Sequence, residues 1–368
     1  MRTYLLFFFY FFQSAGITAQ TAEKYLPTAK SESRGFSSIS LNSIGKEASE
    51  KIPSLGSFVI WRHDALIYEK YFHGQSRDSL FYVQSVTKSF ISAIAGAAWM
   101  KGLLPNLDTP VLDILPEYER KTPVPGFWNT EDWNDVDTLM HQLTLRHLIT
   151  MQTGFNYHEF GGMCNAFVFS SDPVRYALDL GFSEDPGEKF NYCSPGSHVF
   201  AVVLARLIKT DLFAFADSTI FKPAGITLKK WPVDPQGRYI GFSDLQFTSQ
   251  DMVRFGVLYL KKGKLNGKQI LSEEWVKEST DRHAVLNHWD VLPGANGYGY
   301  FWWRRKSNGH QVYVASGYGG QLICVIPDLD MVIVATCTFG DNNRGRSEIR
   351  RLHLLIDKVI KAAKSPFK

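Results

Sequence analysis

The 368-residue sequence carries only four cysteines, Cys164, Cys193, Cys324 and Cys337, and no two of them form a CxxC pair. That spacing excludes the usual zinc motifs, so no metal is expected. Disulfides would have three ways of pairing, and a chain of this size does not need them to hold its fold. Like charges are not clustered either. The 40 basic and 36 acidic residues are interleaved to a net charge of +4, with no run of five of one sign, which leaves a nucleic-acid partner without the basic stripe it would require. Long apolar runs are missing: Tyr4 to Phe12 is about half of the roughly 20 residues needed to cross a bilayer. The GxSxG, HExxH and GxxxxGK[ST] patterns are absent as well, which removes most of the support for their mechanisms.

What is present is a globular composition. With 45% hydrophobic and 14% aromatic residues the chain can bury a large core, and its length favours two lobes over one. Arg2 ahead of the Tyr4 to Phe12 run, followed by the small and polar stretch Gln13 to Gln20, has the form of a signal peptide over residues 1–19. An exported protein, periplasmic or secreted and without stable membrane insertion after cleavage, is the expectation. An uncleaved anchor is the alternative. Residues 20–55, rich in Ser, Lys and Glu with little periodicity, predict a loose arm.

The folded domain is expected over residues 56–362. Gly56 to Trp61 and Leu66 to Phe72 read as a hairpin, and Ser85 to Met100 as a helix apolar nearly all round and therefore buried. Helical periodicity then dominates, including Leu143 to Met151, Ser197 to Lys209 and Ser249 to Lys262. Strand patterns return at Gly299 to Arg304, Gln311 to Ala315, Gln321 to Ile326 and Met331 to Thr336, ahead of an amphipathic helix over Ser347 to Ala363. Strands at both ends with helices between them predict an α/β (α+β) fold. It has one antiparallel sheet lobe (56–102 and 290–362) and an inserted α-rich lobe (103–289).

Three patterns carry chemistry. Ser85-Val86-Thr87-Lys88 opens the buried helix, where residues three apart share a face and burial favours the neutral amine. An N-capping serine with a lysine head that escapes to solvent is the plainer alternative. Ser43 to Lys46 and Ser365 to Lys368 repeat the spacing, but in a polar arm and at the tail. Tyr192-Cys193-Ser194 sits on a Pro- and Gly-flanked loop before a helix. Tyr192 there could pass a proton between a serine and a leaving group if Lys88 favours its phenolate, or simply pack its ring at a corner. Ala315-Ser316-Gly317-Tyr318-Gly319-Gly320 ends one strand and turns into the next; its glycines suit either a close backbone approach to a ligand or a tight hairpin.

Taken in this order, the three patterns resemble the serine β-lactamase and penicillin-binding-protein superfamily. Leu145 to Met151, Trp231 to Gly237 and Asp251 to Gly256 are similar to its esterase and 6-aminohexanoate-dimer-hydrolase branch, so the likeness spans roughly residues 55–362. The resemblance implies Ser85 as nucleophile, Lys88 and Tyr192 as the proton-handling pair, and the backbone N–H groups of Ser85 and Tyr318 as oxyanion hole. Ser194, Ser316 and Gly317 would be substrate-binding. It implies no cofactor, and a small ester or amide as substrate.

Two departures narrow this expectation. Ala315-Ser316-Gly317 stands where many relatives have Lys-Thr-Gly, so a cation that would hold a substrate carboxylate is missing. Ser194 replaces a frequent Asn. The Trp- and Asp-rich segment from Pro123 to His141 supplies Trp128 and Trp133 as candidates for a pocket rim. Alternatives to a small-ester or amide hydrolase are a D-peptide or peptidoglycan-directed hydrolase and a catalytically silent, penicillin-binding-like surface protein.

Overall fold

A computed structural model describes residues 24–119, 133–286, 292–338 and 345–364. The segment read as a signal peptide, and Trp128, lie outside the described residues. Seven strands form one antiparallel sheet: β1 (Leu55–Arg62), β2 (Ala65–Tyr71), β3 (Ala295–Tyr298), β4 (Trp303–Ser307), β5 (His310–Gly317), β6 (Gln321–Ile326) and β7 (Met331–Cys337). The spatial order is β2-β1-β7-β6-β5-β4-β3. The N-terminal hairpin is therefore zipped onto the last strand, with Phe58 opposite Ala335 and Ile60 opposite Ile333. His63 and Asp64, at φ 49° and 64°, close the β1–β2 hairpin in the left-handed geometry that suits a two-residue turn.

Every residue of β1, β6 and β7 is buried, so these central strands are covered on both faces. The helix α1 spans Ser38–Lys51, α2 Val86–Met100, α3 Trp133–Gln142, α4 Leu145–Ile149, α5 Ser194–Ile208, α6 Ser249–Leu260 and α7 Gly345–Ala362. A Cβ at Gly256 of α6 would lie 2.6 Å from Val332 and 2.9 Å from Ile323, so α6 packs directly on the sheet. α7 buries Leu352, Leu355, Ile356, Val359 and Ile360, and is tied to β4 where the buried Arg305 donates to Asp357. Among the described residues no helix is long and apolar enough to cross a membrane.

Three expectations need correction. The stretch from 31 to 51 is structured rather than a loose arm. Its α1 is capped by Ser37, which accepts from Ser40 N–H, and buries Leu41, Gly45 and Ala48, where a Cβ on Gly45 would lie 1.8 Å from the Tyr68 hydroxyl oxygen. Leu41, Ile44 and Ala48 form its core-facing stripe, but a glycine at the centre of that stripe and polar residues on either side weaken the apolar signal. The strand expected at Gly299 to Arg304 falls on a break, because Phe301 takes φ 57° and separates β3 from β4. Finally, α6, expected within the helical lobe, covers the sheet.

Candidate active site

α2 runs between the sheet and α5 as a fully buried helix from Val86 to Ala98, and the chemistry collects at its N-terminus. Ser85 is the N-cap residue, at φ −63° and ψ −8°. Gln84 before it is held at φ 50°, a conformation unfavourable for a side-chain-bearing residue and usually retained only where its surroundings enforce it. They do so here. Val83 N–H donates to Leu245 O at 2.9 Å, Leu245 N–H donates to Thr87 Oγ1 at 3.3 Å, and the end of β5 presses on the same turn.

Lys88 follows one turn later and is 1% exposed. Its Nζ donates to Ser85 Oγ at 3.0 Å, Ser194 Oγ at 3.1 Å and the Phe242 carbonyl at 2.9 Å, one acceptor for each ammonium hydrogen. Burial pulls its pKa down to about 8, opposed chiefly by the Glu159 carboxylate. The solvent-seeking alternative for this lysine is thus excluded, and a sizeable neutral fraction exists near pH 7.

Tyr192 lies beside the Ser85 side chain. Its ring lies 5.0 Å from the Lys88 nitrogen and stacks on Trp303 at 5.3 Å and 18°. Burial, then the negative charge of Glu159, push the phenol above its ordinary value, opposed in part by the Ser85 side chain. Tyr192 therefore rests protonated, and the expectation of a phenolate favoured by Lys88 does not hold.

Ser194 occupies a different place from the substrate-contacting one expected. It is 3% exposed, accepts from Lys88, and donates through Oγ to Glu159 Oε1 at 2.5 Å while its N–H donates to Oε2 at 2.9 Å. Glu159 is the residue that sequence reasoning missed. It reaches the site from a loop 35 positions upstream of Ser194, and no spacing rule links a loop carboxylate to a helix terminus. Its only trace is a lone acid among Phe155, Tyr157 and Phe160. A cavity of about 680 Å³ borders the network, lined among others by Glu159, Phe160, Cys164, Tyr318 and Arg346.

The Gly-rich end of β5 meets the turn that carries Ser85. Gly317 pairs with Gln321 and Ser316 with Leu322, and a Cβ added at Gly317 would lie 2.4 Å from Val83 O and 3.0 Å from the Gln84 side chain. This contact brings Tyr318 toward the turn that carries Ser85. Gly317→Ala should push β5 off that turn and lower kcat/KM by roughly 100-fold, the scale expected of an ångström-sized misplacement. Steady-state kinetics on folded variant protein will check it. Trp133 enters only as the first residue of α3. The four cysteines are unpaired, and the disulfide option raised by the sequence is not used.

A family model described as Beta-lactamase matches residues 45–358. The 6-aminohexanoate-dimer hydrolase of Paenarthrobacter ureafaciens is 23% identical over 314 residues, 77% of this chain and 73% of that protein. Among solved structures, a Bacillus anthracis protein provisionally named as a 6-aminohexanoate-dimer hydrolase superposes with a TM-score of 0.69 at 20% identity, covering 93% of this chain and 89% of its own. EstCE1, a hydrolase with promiscuous acyltransferase activity, superposes with a TM-score of 0.65 at 18% identity, over 86% and 97% of the two chains.

Proposed function

The chain belongs to the beta-lactamase family of serine hydrolases, and on that premise we propose that it cleaves a small ester or amide through an acyl-enzyme on Ser85. The observation that carries this is the Lys88 nitrogen, buried, 3.0 Å from Ser85 Oγ and with its pKa brought to about 8. Neutral Lys88 takes the hydroxyl proton as Ser85 Oγ bonds to the carbonyl carbon. The developing oxyanion is met by the N–H groups of Ser85 and Tyr318, the first of which makes no hydrogen bond among the described residues. Tyr192, protonated and beside Ser85, delivers a proton to the departing alcohol or amine and is recharged from the Lys88 ammonium. Water then hydrolyses the acyl-enzyme by the reverse relay.

Ala315 on β5, where a lysine would place a cation, disfavours substrates that must be held by a carboxylate and favours linear esters or amides over β-lactams. The curated relative named for the 6-aminohexanoate dimer, a linear amide, supports the linear-amide reading. The deciding experiment is intact-mass detection of a phosphonyl adduct, expected on the wild type and absent from Ser85→Ala; no adduct on either protein sinks the proposal. The role of Tyr192 has its own test. Tyr192→Phe should cost little with a p-nitrophenyl leaving group, which departs without help, and about 10²- to 10⁴-fold with an alkyl ester or amide. Equal losses across a leaving-group series would remove Tyr192 as the acid.

A further inference from the structure

The Ser194 hydroxyl stands between two groups that want different things from it. Its oxygen is 3.1 Å from Lys88 Nζ and 2.5 Å from Glu159 Oε1, and a hydroxyl has one proton to give. Burial raises the Glu159 carboxyl above its ordinary value, opposed by the charge of Lys88 and by the two bonds from Ser194; in its ionised form the carboxylate only accepts, so that proton points at Glu159 and Lys88 meets an oxygen lone pair. When Lys88 is neutral it keeps two N–H bonds, for which Ser194 Oγ and the Phe242 carbonyl, at 2.9 Å, are the acceptors. Its own lone pair is left facing Ser85 Oγ.

We propose that Glu159 is a positioning residue for acylation: by fixing the direction of the Ser194 hydroxyl proton, it aims the Lys88 lone pair at Ser85. The proposal rests on Lys88 being the base for Ser85. In the step itself the Ser85 O–H bond breaks as an N–H bond forms on Lys88, and Oγ bonds to the acyl carbon while the carbonyl π pair moves to oxygen. Ser194 and Glu159 keep their protonation throughout. Glu159 also lends Lys88 basicity, since its charge opposes the effect of burial. The other groups facing the pair are Tyr157, Cys164, Cys193, Tyr192 and Asp244, with Arg346 across the cavity.

Glu159→Gln reverses the chain. Both Glu159 oxygens accept, one from Ser194 Oγ and one from Ser194 N–H. An amide with its oxygen on the N–H must present its NH₂ to Ser194 Oγ, turning the Ser194 proton toward Lys88, where it competes with Ser85 for the amine lone pair.

The test is the pH dependence of kcat/KM on p-nitrophenyl acetate for wild type, Glu159→Gln, Ser194→Ala and the double variant, with phosphonylation of Ser85 mapped in each. Glu159→Gln should lower the plateau about 10- to 100-fold, as mispositioning does, and move the rising limb to more acidic pH because the supporting charge is gone. Ser194→Ala should leave the limb near its wild-type position, and adding Glu159→Gln to it should cost nothing more on the plateau. Losses that multiply, or a fall in rate with the limb unmoved while Ser85 still labels, would overturn the role of Glu159 alone. A wild-type Ser85 that does not label would overturn the acylation chemistry beneath it.

Discussion

Ser85→Ala is expected to reduce ester turnover by about 10⁴-fold or more, the scale seen when a nucleophile is removed and only binding and oxyanion stabilisation remain. Ser194 is the one neighbour with a chance of substituting, since its Oγ is 3.1 Å from the same Lys88 nitrogen. Two facts disqualify it. Its proton is committed to Glu159, and at 3% exposure it offers no approach to a carbonyl carbon, whereas Ser85 is only half-buried and caps the helix at the turn that β5 adjoins. Residual activity in Ser85→Ala should therefore not depend on Lys88. If Ser85→Ala keeps more than about 1% of wild-type kcat/KM, or acquires an adduct at Ser194, the nucleophile has been assigned to the wrong hydroxyl.

How far the sequence led can be judged at particular residues. The Ser85–Lys88 pair was legible because both lie on one helix, where spacing alone sets the geometry. The apolar residues Phe90, Ile91 and Ile94 announced that this helix would be buried. Strands β6 and β7 were legible through their continuous apolar runs. Glu159 was not, because its position depends on a loop fold and no periodicity governs that. The role of Ser194 was hidden for the same reason, since a serine replacing an asparagine looks like a changed substrate contact until its carboxylate partner is seen. The resting protonation of Tyr192 was equally out of reach. Whether Lys88 or burial dominates its phenol is decided by packing against Trp303 and by Glu159, and neither is near it in sequence. The arm helix escaped although Leu41, Ile44, Ala48 and Ile52 stand at helical spacing on its buried side, because Gly45, which meets Tyr68, and the surrounding Ser, Lys and Glu residues dilute that stripe.

The sharpest prediction concerns Lys88 and has a sign. Because the neutral amine is the base, kcat/KM should rise with pH along a limb centred near 8, where burial places its pKa, and the limb should vanish in Lys88→Met along with about 10²- to 10⁴-fold of the rate. Lys88→Arg should be no better, since a guanidinium holds its proton throughout; a rescue by arginine would make the charge, and not the base, the active feature. Stability gives an independent reading of the same group. The unfolded lysine binds its proton up to its ordinary value of 10.5, while the folded one releases it near 8. The unfolded chain therefore holds the extra proton between those pH values, and stability should rise with pH across that window. The cost of burying the charge is fully felt below about 8 and gone above 10.5. Urea midpoints at pH 7 and 9.5 should therefore separate further in the wild type than in Lys88→Met, and identical pH responses would mean that Lys88 carries no depressed pKa and cannot serve as the base near neutrality.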